Sequence, residues 1–167
     1  MAFQTTAYIT PPIGFPGGSA GGNKVSTAIP PTPNGFTAGA AGVTIGRWVW
    51  TDANGACLNT GTGKPTGFLH RGNKTIISAY MAESNYVIHA GRGIDAPATQ
   101  GDFLALATNA VTFTPGTQYK AFAKLSDGTT AAFVAGSANA GYVETSFTIT
   151  NSAAVGELYK MTAQGAM

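Results

Sequence analysis

Charged side chains are scarce in this sequence. They make up 10% of its 167 residues, against about 25% in an ordinary soluble domain. A soluble monomer normally keeps its surface wet with Lys, Arg, Asp and Glu, but this chain has only nine basic and seven acidic residues. The sequence therefore predicts a surface that is largely small and neutral, or one that is hidden in an assembly.

Clustered charge and long apolar runs are also missing. No run of basic residues is longer than one and the net charge is +2, which excludes the basic patch that nucleic-acid binding requires. No window of about 18 uninterrupted apolar residues occurs, which excludes a membrane-spanning helix. The N-terminus lacks the basic and apolar regions of a signal peptide. We therefore expect neither nucleic acid nor membrane as a partner.

Cysteine and histidine are too rare for a disulfide or a metal centre. Cys57 is the single cysteine, so no intrachain disulfide can form. A zinc site needs three or four ligands at suitable spacing, and His70 and His89 are the only histidines. Hydrogen-bonded histidines at strand ends explain these two residues better than ligation does. The sequence predicts no metal site and no cofactor.

A serine motif near the N-terminus raises the question of catalysis. The segment from Gly17 to Gly21 reads GGSAG, which matches the G-x-S-x-G pattern of hydrolases. That pattern exposes a nucleophile only on a turn between a strand and a helix. Pro16 and the flanking glycines favour neither element, so Ser19 is better explained as part of a glycine-rich segment.

Two other catalytic patterns fail as well. The segment around Lys64 resembles a phosphate-binding loop, but Leu58 and Pro65 occupy the positions that require Gly and Ser or Thr. Most of the seven carboxylates lie in turn contexts, where turn-making is the ordinary role of aspartate. We therefore expect no enzymatic activity; a hydrolase that uses Ser19 or a carboxylate pair is the remaining catalytic hypothesis.

The first 40 residues differ in composition from the rest. They hold six of the nine prolines and many glycines, a combination that forms neither a helix nor a central strand. They carry a single charge, Lys24, and several apolar side chains, unlike a disordered tail. We expect either an extended arm (residues 1–40) that docks on a neighbour or an irregular layer packed on its own domain. Its candidate partner contacts are Tyr8, Ile9, Ile13, Phe15 and Ile29.

From residue 41 the pattern is typical of short strands separated by turns. Residues 142–151 read YVETSFTITN, in which alternate residues are predicted to face inward (Val143, Thr145, Phe147 and Ile149) and outward (Glu144, Ser146, Thr148 and Thr150). Asn54-Gly55 and Asp127-Gly128 are hairpin-turn signals. No long segment has helical periodicity. Residues 41–167 are therefore predicted to form one all-β domain, a compact antiparallel β-sandwich or barrel.

Trp48 and Trp50 form a second candidate contact. They lie two positions apart on a predicted strand and therefore share one face. If Val43, Ile45 and Val49 face the core, both indoles point outward, which is typical of an interface or a ligand platform. The alternative is a strand buried on both faces. We favour the interface because the shortage of charge already calls for surface buried by a partner.

The pattern of turns and strands resembles that of tailed-bacteriophage structural cement, or head decoration, proteins. Between residues 91 and 134 the sequence shows Gly93, Pro97 and Gly101-Asp102-Phe103, followed by Gly116 and Asp127-Gly128. These residues match two glycine-containing stretches of that family. The resemblance covers roughly residues 40–160, and the Pro/Gly-rich N-terminal arm is longer than the family leads us to expect.

The resemblance implies a non-enzymatic virion protein made in the bacterial host cytoplasm. Such a protein binds the outer surface of the capsid and bridges adjacent major capsid subunits, often as a dimer or trimer. Its expected partner is therefore the major capsid protein, contacted through the arm residues and then through Trp48 and Trp50. The rival hypothesis is a carbohydrate- or receptor-binding β-sandwich of a virion fibre or spike, with the two tryptophans as its platform.

Overall fold

The computed structural model describes residues 14–72 and 87–164. These residues form strands joined by turns and contain no helix, which confirms the predicted all-β class. Thirteen strands lie within the described ranges. The first eight are β1 (Ser26–Thr27), β2 (Phe36–Ala38), β3 (Val43–Thr44), β4 (Trp48–Thr51), β5 (Ala56–Leu58), β6 (Gly67–Phe68), β7 (Val87–Ile88) and β8 (Gly93–Ile94). The last five are β9 (Ala98–Leu106), β10 (Tyr119–Lys124), β11 (Thr130–Val134), β12 (Tyr142–Ile149) and β13 (Leu158–Ala163).

The last five strands close into a barrel. Their order is β11-β10-β12-β13-β9, with every neighbouring pair antiparallel. The chain that continues β9 then pairs with β11 through a parallel bridge between Ala107 and Thr130. Asn109 extends this seam, because its side-chain Oδ1 accepts from the Ala132 N–H and its Nδ2 donates to the Ala132 carbonyl, both at 2.8 Å. The ring of strands therefore has no open edge at this point.

The barrel interior is the larger of two hydrophobic cores. Alternate residues of its strands point inward, and they bring large side chains such as Phe103, Phe147 and Tyr159 together with small alanines. Trp48 and Phe68, from β4 and β6, complete this core. The Trp48 ring meets Phe68 and Phe147 edge to face, with centroids 5.2 and 5.4 Å apart. The alternation predicted for residues 142–151 is confirmed, because Thr145, Phe147 and Ile149 are all buried.

The remaining strands extend the sheet away from the barrel. They continue from β9 in the order β6-β4-β5-β2-β8, while β3 and β7 form a separate two-stranded sheet. One pair, β2 with β5, is parallel, so the sheet is mixed rather than purely antiparallel. A second core lies here, built from residues that include Phe36, Val49, Cys57 and Leu69. Strand β4 therefore has a core on each of its faces.

The described part of the N-terminal segment lies on the body of the same chain. The Gly17 N–H donates to the Leu104 carbonyl at 2.8 Å, Ser19 forms a bridge with Phe103, and β1 pairs with β9. Strand β2 belongs to the large sheet. Of the two interpretations of residues 1–40, packing on the chain's own domain describes residues 14–40. Tyr8, Ile9 and Ile13 lie outside the described residues.

Candidate interaction surfaces

Exposed apolar side chains are the most distinctive surface feature of the described residues. Seven large ones stand out: three lie in the N-terminal segment, three at the end of the barrel where β9 and β11 finish, and one, Val87, on β7. The N-terminal surface is defined by Phe15, Val25 and Ile29. The barrel-end surface is defined by Phe113, Val134 and Val155. In contrast, no group of three or more His, Cys, Asp or Glu residues within 14–72 and 87–164 is arranged to hold a metal ion.

The N-terminal surface is held in place by close backbone packing. The backbone at Gly17 and Gly46 approaches so closely that a Cβ on Gly17 would lie 2.7 Å from Ile45 Cγ2, and one on Gly46 would lie 2.8 Å from Pro16 Cβ. Both glycines also have positive φ values, 82° and 79°. A larger residue at either position would therefore clash with its neighbour and would also have to adopt a strained backbone conformation. The glycine-rich segment is therefore used for tight packing of the chain on itself.

A carboxylate anchors the next part of this segment. Oδ1 of Asp102 accepts from Asn23 Nδ2 and from Thr162 Oγ1, both at 2.7 Å. Oδ2 accepts from the Asn23 backbone N–H at 3.3 Å. Partial burial acts to raise the pKa of Asp102, but the hydrogen bonds from Thr162 and Asn23 outweigh it and hold the pKa below its usual value. The ionised carboxylate thus fastens residue 23 to β9 and β13.

Phe15 and Ile29 are presented to solvent on this anchored segment. The Phe15 ring is stacked under the guanidinium of Arg71, 4.5 Å from the ring centroid, a cation–π geometry. Ile29 is 91% exposed, although the neighbouring Ala28 N–H is fixed by a 2.8 Å bond to the Pro97 carbonyl. An isoleucine held outward on an ordered backbone is a good candidate for contact with a partner. Both residues were among the contacts predicted from the sequence.

The expectation that Trp48 and Trp50 point outward together is wrong. Trp48 is buried, at 1% exposure, and its indole Nε1 donates to Thr130 Oγ1 at 3.0 Å. Trp50 is only partly buried and donates from Nε1 to the Gly63 carbonyl at 3.0 Å. Strand β4 lies between the two cores, so its alternate side chains enter different cores. Trp48 packs inside the barrel and Val49 packs in the second core. A paired-tryptophan platform is not formed.

Ser19 and His70 are occupied by structural contacts. The Ser19 hydroxyl donates to the Gly21 carbonyl at 2.9 Å, and its backbone pairs with β9, so it does not sit on a nucleophile elbow. The His70 ring packs against Phe103, with centroids 5.3 Å apart, but its Nδ1 is buried without a hydrogen-bond partner among the described residues, so the hydrogen bond predicted for this histidine is not seen at that atom. Burial lowers the pKa of His70, and the charge of Asp95 opposes this in part. Both residues lie close to β9 and contribute to its packing.

The barrel-end surface was missed by sequence reasoning. It lies where β9 ends and β13 begins, beside a short ribbon in which Val111 bridges Ala153. Phe113 is fixed on this ribbon by its N–H, which donates to Ser152 Oγ at 3.0 Å. Its ring packs on Tyr119, 5.2 Å between centroids, and Tyr119 is the β10 partner of Val134. This surface is built from segments that are distant in the sequence, so no local sequence pattern could predict it.

A protein-family model matches almost the whole chain. The model describes the XM1 gp53 minor capsid protein and matches residues 3–163. The chain belongs to this family. No curated protein matches the chain. Membership of a phage capsid protein family confirms the resemblance to virion head proteins predicted from the sequence.

Family membership gives the protein a structural role in the capsid and a location in the virion. It also implies association with the capsid shell. Within residues 14–72 and 87–164 there is no helix that is long and apolar enough to cross a membrane. The exposed apolar surfaces described above are therefore candidate contacts within a capsid.

Proposed function

We propose that this protein binds the outer surface of a phage capsid and stabilises it by bridging adjacent major capsid subunits, without enzymatic activity. One observation carries the proposal: a chain of a capsid family, poor in charge, holds apolar side chains outward on ordered backbone, with Ile29 at 91% exposure. Large exposed apolar side chains that cluster mark interaction sites. Their burial across a subunit joint would add stability only to the assembled shell.

The N-terminal segment supplies the first set of contacts in this proposal. Phe15 and Ile29 present apolar surface on the described body, and Tyr8, Ile9 and Ile13 precede it in the chain. Several weak contacts on one chain act together through their effective concentration. Trp48 is not a contact in this proposal because it is buried, whereas Trp50 is only partly buried and can contribute. Self-association as a dimer or trimer would multiply the number of joints that each copy spans.

The experiment is a reconstitution on shells that lack this protein. Purified wild-type chain is added to shells of the parent phage, bound copies are located by cryo-electron microscopy, and the temperature of shell disassembly is compared with and without it. We expect ordered density across joints between major capsid subunits and a higher disassembly temperature. Density on the inner surface, or bound copies that leave the disassembly temperature unchanged, would contradict the proposal.

A deletion variant tests the contribution of the N-terminal segment. Removal of residues 2–13 keeps the described contacts that hold residues 14–30 on the body, such as the Gly17–Leu104 hydrogen bond and the pairing of β1 with β9, so we expect the domain to fold. We expect this variant, and separately Ile29→Ser, to bind shells more weakly than wild type. Circular dichroism melting checks the fold. Wild-type affinity in both variants would remove the N-terminal segment from the interface.

The rival hypothesis of a carbohydrate-binding module loses its main support. It depended on Trp48 and Trp50 as a shared platform, and Trp48 lies inside the barrel. We therefore carry forward the capsid-surface proposal alone. We also propose that neither nucleic acid nor a membrane is a partner, because the chain has only nine dispersed basic residues.

A further inference from the structure

The barrel-end surface brings together parts of the chain that lie far apart in sequence. Leu106, the last residue of β9, pairs with Leu158, the first of β13. The Gly156 N–H donates to the Ala107 carbonyl at 2.9 Å, which folds the turn containing Val155 over this end. Val134 closes the surface as the last residue of β11. The result is an ordered surface fixed by main-chain hydrogen bonds.

Large apolar side chains are exposed on this surface to an unusual extent. Phe113 is 37%, Val134 is 47% and Val155 is 66% exposed. The same end contains the buried Val111 and Ala153, so apolar material continues from the core to the solvent. A single exposed valine needs no explanation, but several at one end of a barrel mark a contact surface.

The charge of this surface is almost nil. The three segments that build it, residues 107–118, 134–137 and 150–157, contain one charged residue, Glu157. The Glu157 Oε2 accepts from the Ala154 N–H at 2.7 Å, and Glu144 of β12 reaches the second segment, where its Oε2 accepts from the Gly136 N–H at 2.7 Å, so both carboxylates serve local turns. A partner that buries this end therefore gains apolar contact with almost no charge to desolvate, and it needs no complementary charge of its own.

The size of the surface argues against a second copy as its only occupant. Five strands about 4.8 Å apart and tilted by about 40° make a barrel whose backbone encloses on the order of 100 Å² in cross-section, and the side chains around its rim extend the end to a few hundred Å² at most. A stable two-body interface buries about 800 Å² on each partner. The barrel end is therefore too small to hold a symmetric dimer alone, but it suits one contact among several on a larger surface.

We propose that the barrel-end surface is a second shell contact, which docks on an uncharged, apolar surface of a major capsid subunit. This inference rests on the proposed function and adds to it the site that, with the N-terminal surface, allows one copy to span a joint. Two separate contacts on one rigid body are what bridging requires. Because the contact holds almost no charge, its strength should vary little with salt.

The test uses valines in matched positions. Val155→Asp places a charge on the barrel end, and Val87→Asp places the same charge on β7, where Val87 is 52% exposed on the separate two-stranded sheet. A milder pair, Val134→Thr and Val87→Thr, keeps the β-branched shape that strands favour and adds only a hydroxyl. Melting curves establish that each variant folds. Each chain is then titrated onto shells lacking this protein, and bound copies are counted after sedimentation.

We expect Val155→Asp to bind about tenfold more weakly or worse, because a buried unpaired charge is costly, while Val87→Asp binds as wild type does. Val134→Thr should weaken binding by a smaller factor than Val155→Asp. Wild-type binding should change little between about 0.05 and 0.5 M salt, although the Debye length falls severalfold over that range.

The outcomes separate this inference from the proposed function. Failure of the wild-type chain to bind shells would overturn the proposed function, and this inference with it. Binding of wild type with unchanged affinity in Val155→Asp would overturn the inference alone. Loss of self-association by Val155→Asp in free solution, with shell binding intact, would assign the barrel end to a second copy and also overturn the inference.

Discussion

The indole nitrogen of Trp48 donates a hydrogen bond to the hydroxyl of Thr130 across 3.0 Å. Both residues are buried, at 1% exposure each. The bond ties β4, in the outer part of the sheet, to β11 of the barrel, 82 residues further along the chain. It satisfies the only polar atom of the Trp48 side chain, the largest side chain in the core, where an unpaired N–H would be costly.

Replacement of Thr130 by valine tests this bond. The change keeps the shape of the side chain but leaves the Trp48 N–H without its acceptor, so we expect a loss of about 1–3 kcal/mol in the free energy of unfolding. For a domain of this size each kcal/mol corresponds to about 2–4 °C in melting temperature. Thr148→Val, on the half-buried surface of β12, is the matched control and should change stability much less.

A double-mutant cycle sharpens the same prediction. Trp48→Phe removes the donor, so the further change Thr130→Val should cost less in that background than in wild type. The measurement is denaturant unfolding followed by circular dichroism. Strictly additive free-energy changes would show that the two residues do not act through this bond.

Because of the buried Tyr159 hydroxyl, we expect the free energy of unfolding to fall at alkaline pH. It points at the main-chain carbonyl and at Oδ1 of Asn109, 2.8 Å from the latter, and so supports the seam that closes the barrel. Burial raises the pKa of Tyr159 to about 12. Because this pKa lies above the unfolded value of about 10, the stabilisation is complete below about pH 10 and is lost as the pH rises towards 12.

Tyr159→Phe isolates this effect. We expect the variant to be less stable than wild type at neutral pH, by about 0.5–1.5 kcal/mol for the lost hydrogen bond. The difference between the two proteins should shrink between about pH 10 and 12, measured by urea unfolding at each pH. A stability gap that stays constant over that range would contradict the assignment.

The hydrogen bonds that Asp102 accepts from Asn23 and Thr162, here called the Asp102 clamp, should make the free energy of unfolding fall at acid pH. The pKa of this carboxyl is lowered in the folded chain, despite the opposing effect of burial, because hydrogen bonds from Thr162 and Asn23 favour the ionised form. Its stabilisation is therefore present above the unfolded pKa of about 3.9 and is lost as the pH falls through the folded value. Asp102→Asn should be less stable than wild type at pH 7, and the two should converge below about pH 4.

The clamp also has a local readout. Amide hydrogen exchange at residues 20–25 should accelerate in Asp102→Asn, because the new amide keeps one acceptor oxygen and replaces the other by a donor, so Asn23 loses one of its two acceptors and the charge that strengthens both bonds. Exchange in β10 and β11, which the clamp does not touch, is the internal reference. Equal protection of residues 20–25 in both proteins would show that the carboxylate does not hold this segment.

Gly61 is predicted to be essential for the position of Trp50. A Cβ at residue 61 would lie 2.2 Å from Trp50 Cγ, so Gly61→Ala must displace the indole and break its bond to the Gly63 carbonyl. We expect a change in tryptophan fluorescence and a loss of stability. Gly93→Ala is the matched control, because nothing lies within 4 Å of its added Cβ. A spectrum identical to wild type in Gly61→Ala would disprove the contact.

Strand positions and turns were predictable where a local pattern was strong. The alternation of β12 and the turn at Asp127-Gly128 follow from neighbouring residues alone; Gly128 adopts a φ of 68°, and Asp127 Oδ1 accepts from the Thr129 N–H at 3.0 Å. The orientation of β4 was not predictable in this way. Its alternation gives two faces but does not say that both are covered, which depends on strands from elsewhere in the chain.

The sequence by itself determined the all-β class and the scarcity of charge, because each rests on composition or on local periodicity, and its resemblance to head decoration proteins indicated a virion protein. Only the tertiary structure decided that Trp48 is core, that residues 14–40 lie on their own domain and that Phe113, Val134 and Val155 share one surface. These depend on pairings between residues far apart in the chain, such as Ser19 with Phe103 and Val111 with Ala153. Whether a side chain is buried depends on which other segments pack against it, so it cannot be deduced from one segment alone.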